Sequence, residues 1–439
     1  MVSIENFVLS GKDKMSLNNE DSRKLSGVIE FLCESSSRIN EAKVQRYWYP
    51  LAMATYGVEE IIEALDSLCS FRTSMWEKTR KFEQQFSAYQ GCTDSIMVNS
   101  GSSADLLLSF LLVDRQKPLL KRSDEILLPI VTWPTQIWSV IMAGLSVRLV
   151  DVNPETLNID LDDMERRITP RTKAIFLVHL LGNPCQMDRV MDIADKHGLL
   201  VLEDCCEALG AEWNGSKVGS FGVGGTFSFF FSHHMVTMEG GMVVCHDCEV
   251  ADQLRILRGH GWLRDVENTS HYNVSNYDDI DPRYAFVNWG CNLRPTELQA
   301  GFGLHQLQKL PSFNARREML ASKFFHFIDQ TSFLLRPLVH PSAHPSWLAL
   351  PVMVRADAPF QKKQLVDYLE KNGVETRPIV AGNLSRHPVA HLFGEMFEGA
   401  YPGGDIVHDK AFYLGLSPMV ADADMDRLLE CMQQFLKNF

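Results

Sequence analysis

From residue 95 onward, short unbroken apolar runs alternate with stretches in which apolar residues recur every three or four positions. SIMVNS is followed by SSADLLLSFLLV, EILLPIV by TQIWSVIMAG, VRLVDV by DLDDMERRI, and AIFLVHLLG by CQMDRVMDIADKHG, and LLVLEDCC closes the series. Runs of branched and Leu residues without polar alternation are strands covered on both faces, and the helical periods between them supply the cover. The pattern predicts crossover units and a mostly parallel sheet, an α/β architecture whose ligands gather at the carboxyl ends of the strands. Ahead of it, GVEEIIEALDSL and WEKTRKFEQQFSAY read as amphipathic helices. From about Pro311 the order becomes helix KLPSFNARREMLASKFFHFI, strand LALPVMVR, helix FQKKQLVDYLEKNG, strand ETRPIV and helix ADMDRLLECMQQFLKNF. Three parts are therefore expected: a polar, helical N-terminal arm over 1–45, a large domain over 46–310 and a smaller α+β domain over 311–439.

Composition narrows the function. At 439 residues the chain exceeds what one core accommodates, and 45% hydrophobic with 22% charged residues fits a folded protein. A net charge of −13 argues against nucleic acid or an anionic membrane as partner, because either requires a basic footprint. No apolar run nears the roughly 20 residues that span a bilayer, and MVSIENFVLSGKDKMS lacks the features of a secretory signal. The ten cysteines are scattered without a disulfide framework, which predicts a reducing, cytoplasmic setting.

Three segments carry candidate chemistry. NSGSSADLL (99–107) is a turn between strand and helix, where backbone N–H groups and the hydroxyls of Ser102 and Ser103 can seat a phosphate, or a serine can simply cap the helix. In VLEDCCEALGA, Asp204 ends a strand and Glu207 follows one turn later; a carboxylate there can face a pyridinium nitrogen, or act as a cap. In GTFSFFFSHHMVTMEGG, His233 and His234 lie between an aromatic strand and a tight turn; adjacent side chains diverge, so at most one serves a given site, and either can be structural. The spacings Cys245/Cys248, His340/His344 and His387/His391 imitate metal motifs, but there is no second CxxC, a proline interrupts each histidine pair and HExxH is absent, so no metal is expected.

Taken in order, Ser-Gly-Ser-Ser-Ala, the Trp of VTWPTQ, Glu-Asp-Cys-Cys-Glu-Ala-Leu-Gly-Ala, Phe-Ser-Phe, Glu-Gly-Gly and GCNLRPTELQAGFGLHQL resemble the DegT/DnrJ/EryC1/StrS sugar aminotransferases over roughly 46–439. The resemblance implies the aspartate-aminotransferase-like (type I) fold and pyridoxal 5′-phosphate as cofactor. It implies that Ser102, Ser103 and Ser228 hold the phosphate, Trp133 stacks on the ring, Asp204 meets the pyridine nitrogen and Glu207 is a neighbouring polar contact. Asn292 would reach the phosphate of the other subunit, making a homodimer with a shared active site.

The family's Schiff-base lysine lies six residues before the Glu of Glu-Gly-Gly, and 239 − 6 gives His233; no lysine occurs between Lys217 and Lys309. A similar Ser-His-His before Met-Glu-Gly-Gly marks the lysine-less 4-keto-6-deoxyhexose 3-dehydratases of the family, and YPLA, LLGNP, RGHGWLR, QKLPSF and RPIVAGN also look like that branch. The branch implies pyridoxamine 5′-phosphate formed with L-glutamate, a nucleotide-linked 4-keto-6-deoxyhexose such as GDP-4-keto-6-deoxymannose as substrate, His233 as base and then acid, and release of ammonia. His260 and Arg264 are candidates for substrate or cofactor contacts. GWLRDVENTSHYNVSNYDDIDPRYAF contains no cysteine, unlike the iron–sulfur branch. The alternatives are an aminotransferase that leaves nitrogen on the sugar and a non-catalytic sugar-nucleotide-binding protein.

Overall fold

The computed structural model describes residues 23–31, 47–266 and 279–439, together with Thr269, Tyr272 and Tyr277. Within the expected arm, 23–31 is helical, and the rest of 1–45 lies outside the described residues. Among the described residues, no helix is long and apolar enough to cross a membrane.

The apolar runs form β1 (Asp94–Val98), β2 (Glu125–Pro129), β3 (Ser146–Val150), β4 (Thr172–Val178) and β5 (Leu200–Asp204). A short ladder, β6 (Glu212–Trp213) and β7 (Ser216–Lys217), precedes β8 (Gly224–Ser228) and β9 (Gly241–Cys245). Seven of these make one sheet in the order β3-β2-β4-β5-β8-β9-β1. β9 is antiparallel to both neighbours and every other pair is parallel. Ile126, Leu127 and Leu128 are all fully buried, as a strand with helices on both faces requires.

The helix Glu297–Asp329 is longer than the sequence suggests, starting twelve residues before the expected KLPSF segment (309 − 297) and running through Pro311. Thr296 caps it, accepting the Gln299 N–H, while the Gln299 side chain reaches back to the Thr296 N–H. Its first half packs on the helices Val58–Cys69 and Glu77–Gln90. Leu320, Phe324 and Ile328 on its second half enter a separate core with Leu350, Val352, Phe412 and Leu414. There, β10 (Leu334–Leu335), β12 (Ala349–Val354), β13 (Thr376–Pro378) and β14 (Ala411–Gly415) form an antiparallel sheet ordered β10-β12-β14-β13, while β11 (Ala343–His344) crosses over to pair with β6.

Candidate active site

The carboxyl ends of β1, β5 and β8 converge. The chain leaves β1 through Asn99 and Ser100 and enters the helix Gly101–Leu112. Ser100 is the N-cap, its Oγ accepting the Ser103 N–H at 3.1 Å, so the capping role falls to neither Ser102 nor Ser103. The Ser103 hydroxyl donates to Asn99 Oδ1 at 2.6 Å, and the exposed Ser102 hydroxyl donates to Thr135 Oγ1 at 3.2 Å. Ser228, ending β8, presses on this turn so closely that a Cβ at Gly101 would stand 2.5 Å from the Ser228 Cβ. A Cβ at Gly241 would stand 2.3 Å from the Ser100 carbonyl oxygen. Glycine at both positions lets a hydroxyl-lined helix N-terminus form where the strands meet, the arrangement that binds phosphate. Trp133 lies at the N-cap of the neighbouring helix Pro134–Met142 and is 59% exposed, leaving its ring face open.

Asp204, ending β5, is buried and accepts the Cys206 N–H at 3.0 Å. Burial raises its pKa, opposed by that hydrogen bond. The sequence does not single out Asp105, yet this buried residue brings a second carboxyl from the helix Gly101–Leu112; side-chain oxygens of Asp105 and Asp204 and the Cys206 sulfur lie within 4.8 Å of one another. Thr226 Oγ1 donates to Asp105 at 2.7 Å. Burial, then the nearby Asp204 charge, hold the Asp105 carboxyl well above its usual range. Behind Asp204, His179 bonds Glu203 through Nε2 at 3.1 Å and accepts the Cys185 N–H on Nδ1 at 3.0 Å, so both ring nitrogens are engaged.

Glu207 accepts the N–H of Leu181, whose φ of +51° is left-handed, at 2.7 Å. Burial raises the Glu207 pKa to about 7, against the lowering effect of that bond. The same LLGNP turn bonds Ser346 and Leu348 through the carbonyls of Gly182 and Leu181.

His233 and His234 occupy the turn after β8 and have different environments. His234 is fully buried, its Nε2 sits 2.9 Å from the Ser346 carbonyl oxygen, and burial lowers its pKa well below the usual value: it ties the turn to the body of the protein. His233 is half-buried, its Nδ1 is enclosed without a hydrogen-bond partner, and the Phe230 ring meets it edge-on at 6.2 Å. Burial lowers its pKa to about 4, the nearby Cys206 main chain opposes this, and the Arg317 charge adds to the lowering. His233 is therefore a neutral imidazole at physiological pH, facing the Asp204–Glu207 segment. Asn292 is exposed and its Oδ1 accepts from Arg294 Nε at 2.9 Å; the adjacent Leu293 carbonyl accepts the Asn99 N–H at 2.9 Å. His260 (φ +67°) contacts Arg294 at 3.2 Å, and the Arg264 guanidinium lies 4.4 Å from the Trp262 ring centroid.

A profile of the DegT/DnrJ/EryC1/StrS aminotransferase family matches residues 55–433. The chain belongs to that family. It is 37% identical to the GDP-4-keto-6-deoxy-D-mannose 3-dehydratase of Escherichia coli O55:H7 over 88% of this chain and 99% of the relative. The crystal structure of a His-to-Asn variant of GDP-4-keto-6-deoxymannose-3-dehydratase with bound GDP-perosamine superposes with a TM-score of 0.82 at 34% identity, covering 88% of this chain and all of that one. A structure of that dehydratase with a trapped PLP–glutamate geminal diamine superposes at 0.79 and 32% identity, with 88% and 100% covered. The type I fold expected from the sequence is the fold observed.

The hydroxyl-lined helix N-terminus, an open indole face and a buried carboxylate at the next strand end suit a phosphorylated pyridine cofactor. Each offers a group that such a ligand needs, and the glycines leave room for it.

Proposed function

We propose that this protein is a pyridoxal/pyridoxamine-phosphate-dependent 3-dehydratase of a nucleotide-linked 4-keto-6-deoxyhexose, with GDP-4-keto-6-deoxymannose the first substrate to test and L-glutamate as amino donor. One observation carries the proposal: beside the cofactor cradle, where the family places a lysine, stands a half-buried neutral imidazole whose Nδ1 no protein group occupies.

Ser102, Ser103 and Ser228 would hold the phosphate, Trp133 would cover the ring face, and Asp204 would pair with the ring nitrogen, with Glu207 beside it. When bound, the cofactor supplies an amine that condenses with the C4 ketone and a ring that accepts electrons. The remaining steps fall to His233. As a neutral base it takes the proton from the cofactor carbon bearing the amine. As an imidazolium of low pKa it is then a strong acid, suited to protonate the departing C3 hydroxyl. With the C3 hydroxyl lost as water, the amine nitrogen would leave on the deoxygenated sugar, water would hydrolyse that product to a ketosugar and ammonia, and L-glutamate would restore the amine for the next turnover. Asn292 lies on the surface, and we place its partner phosphate in the second subunit of a homodimer. The domain boundary near 310 then falls within the helix Glu297–Asp329, which would join a cofactor-binding unit to the smaller C-terminal unit.

The test is incubation with pyridoxal phosphate, L-glutamate and GDP-4-keto-6-deoxymannose, assaying ammonia and weighing the sugar product. Ammonia with a ketosugar that has lost the C3 oxygen supports the dehydratase. An aminated sugar without ammonia would replace it with an aminotransferase.

A further inference from the structure

The catalytic turn is held by a cation that the proposed mechanism does not use. Arg317, from the long helix Glu297–Asp329, is 3% exposed. Its guanidinium donates from Nη2 to the His233 carbonyl at 3.2 Å, from Nη1 to the His234 carbonyl at 3.1 Å and from Nε to the Leu416 carbonyl at 3.2 Å. No carboxylate pairs with it among the described residues. Burying an unpaired guanidinium is costly, and a charge serving only to fill space would be better replaced by an apolar side chain of similar volume. Burial lowers even the arginine's pKa, to about 9.

The three carbonyls come from two places, the turn after β8 and the segment leaving β14, so one side chain fixes the height of the turn against the smaller core. The groups facing His233 are Arg317 from the long helix, the Cys206 backbone from the Asp204–Glu207 segment, and His234 beside it in the chain. Of these, Arg317 is a permanent cation. It disfavours a second positive charge on the imidazole, which both keeps the base free and sharpens the acid.

We propose that Arg317 is a positioning residue for His233: it locks the 233–234 turn through its carbonyls and fixes a positive charge beside the imidazole. The inference rests on the role given to His233 above.

The experiment follows the His233 ring in full-length, cofactor-free protein labelled with [13C]histidine, its resonance assigned by its loss in His233→Asn. Arg317→Gln, which retains donors without the charge, should raise the His233 midpoint, with burial still holding it below the ordinary histidine value. The acid limb of kcat/KM should move with it. Arg317→Lys, which retains charge but cannot span three carbonyls, should leave the midpoint near the wild-type value while lowering kcat. A folded Arg317→Gln protein with an unmoved midpoint overturns the inference; should that variant not fold, a midpoint displaced upward in Arg317→Lys does so. Undiminished dehydration by His233→Asn would instead overturn the assignment of His233, whatever Arg317 does.

Discussion

The proposed cofactor cradle and the turn that carries His233 are neighbours built on opposite principles. In the cradle, position follows from the sheet: Asp204 and Ser228 end parallel strands, and Ser100 to Ser103 begin the helix that follows another. The turn at 233–234 is not a strand end: beyond its own main-chain bonds, its position is fixed from outside, by Arg317 on the long helix and by the Ser346 carbonyl. The side chains proposed to bind the cofactor are part of the sheet's own ends, whereas the one proposed to move protons is held next to them.

The comparison breaks most sharply at His233. His233→Asn should reduce dehydration by about 10²–10⁴-fold yet cost less than about 1 kcal/mol of stability; the first is read from ammonia release and the second from urea unfolding. A large loss of stability would mean that the turn depends on this ring after all. On the cradle side the prediction reverses. Arg258, buried beneath β1, donates to Glu83 at 2.6 Å and to the Met97 carbonyl at 2.7 Å. Arg258→Met should cost about 3–5 kcal/mol, because Glu83 is left buried and unpaired; a loss of unfolding free energy in urea smaller than about 1 kcal/mol would contradict this.

A smaller effect tests the Glu207 carboxyl. Its native pKa, about 7, lies above the ordinary 4.5, so between these values the folded apoprotein holds a proton that the unfolded chain has lost. Stability should therefore fall as pH rises from about 4.5 to about 7, by about 1–3 kcal/mol, and level off above. Glu207→Gln should flatten that slope in urea titrations across the same window, and an unchanged slope would assign it to other groups. The smallest effect is expected at Trp133. Trp133→Leu should weaken cofactor binding by about 0.5–1.5 kcal/mol, the worth of an aromatic stack, as measured by equilibrium dialysis; an unaltered affinity would separate the indole from the cofactor.

The parallel strands of the sheet were legible because each is a continuous apolar run ending in its chemistry, as in LLVLED. β9 and β14 were not, since GMVVC and AFYLG are brief apolar runs without a distinguishing period. The first turns of the long helix were hidden by glycines, which lower helix propensity. Packing selects one of them: a Cβ at Gly303 would lie 2.6 Å from the Phe82 ring. Asp105 left one trace, an acid within the apolar run SSADLLLSF. Arg317 left none, because NARREML reads as an ordinary solvated helix face until tertiary structure turns one arginine inward.

The turn around position 233 is closed by main-chain atoms: the Phe229 N–H bonds the Gly240 carbonyl, the Thr237 N–H the Phe229 carbonyl, and the His233 N–H the Phe230 carbonyl. None of these bonds depends on which side chain position 233 carries. In evolutionary terms the scaffold separates inheritance from innovation: selection can exchange the side chain at this one codon while the main-chain architecture around it is passed on unaltered.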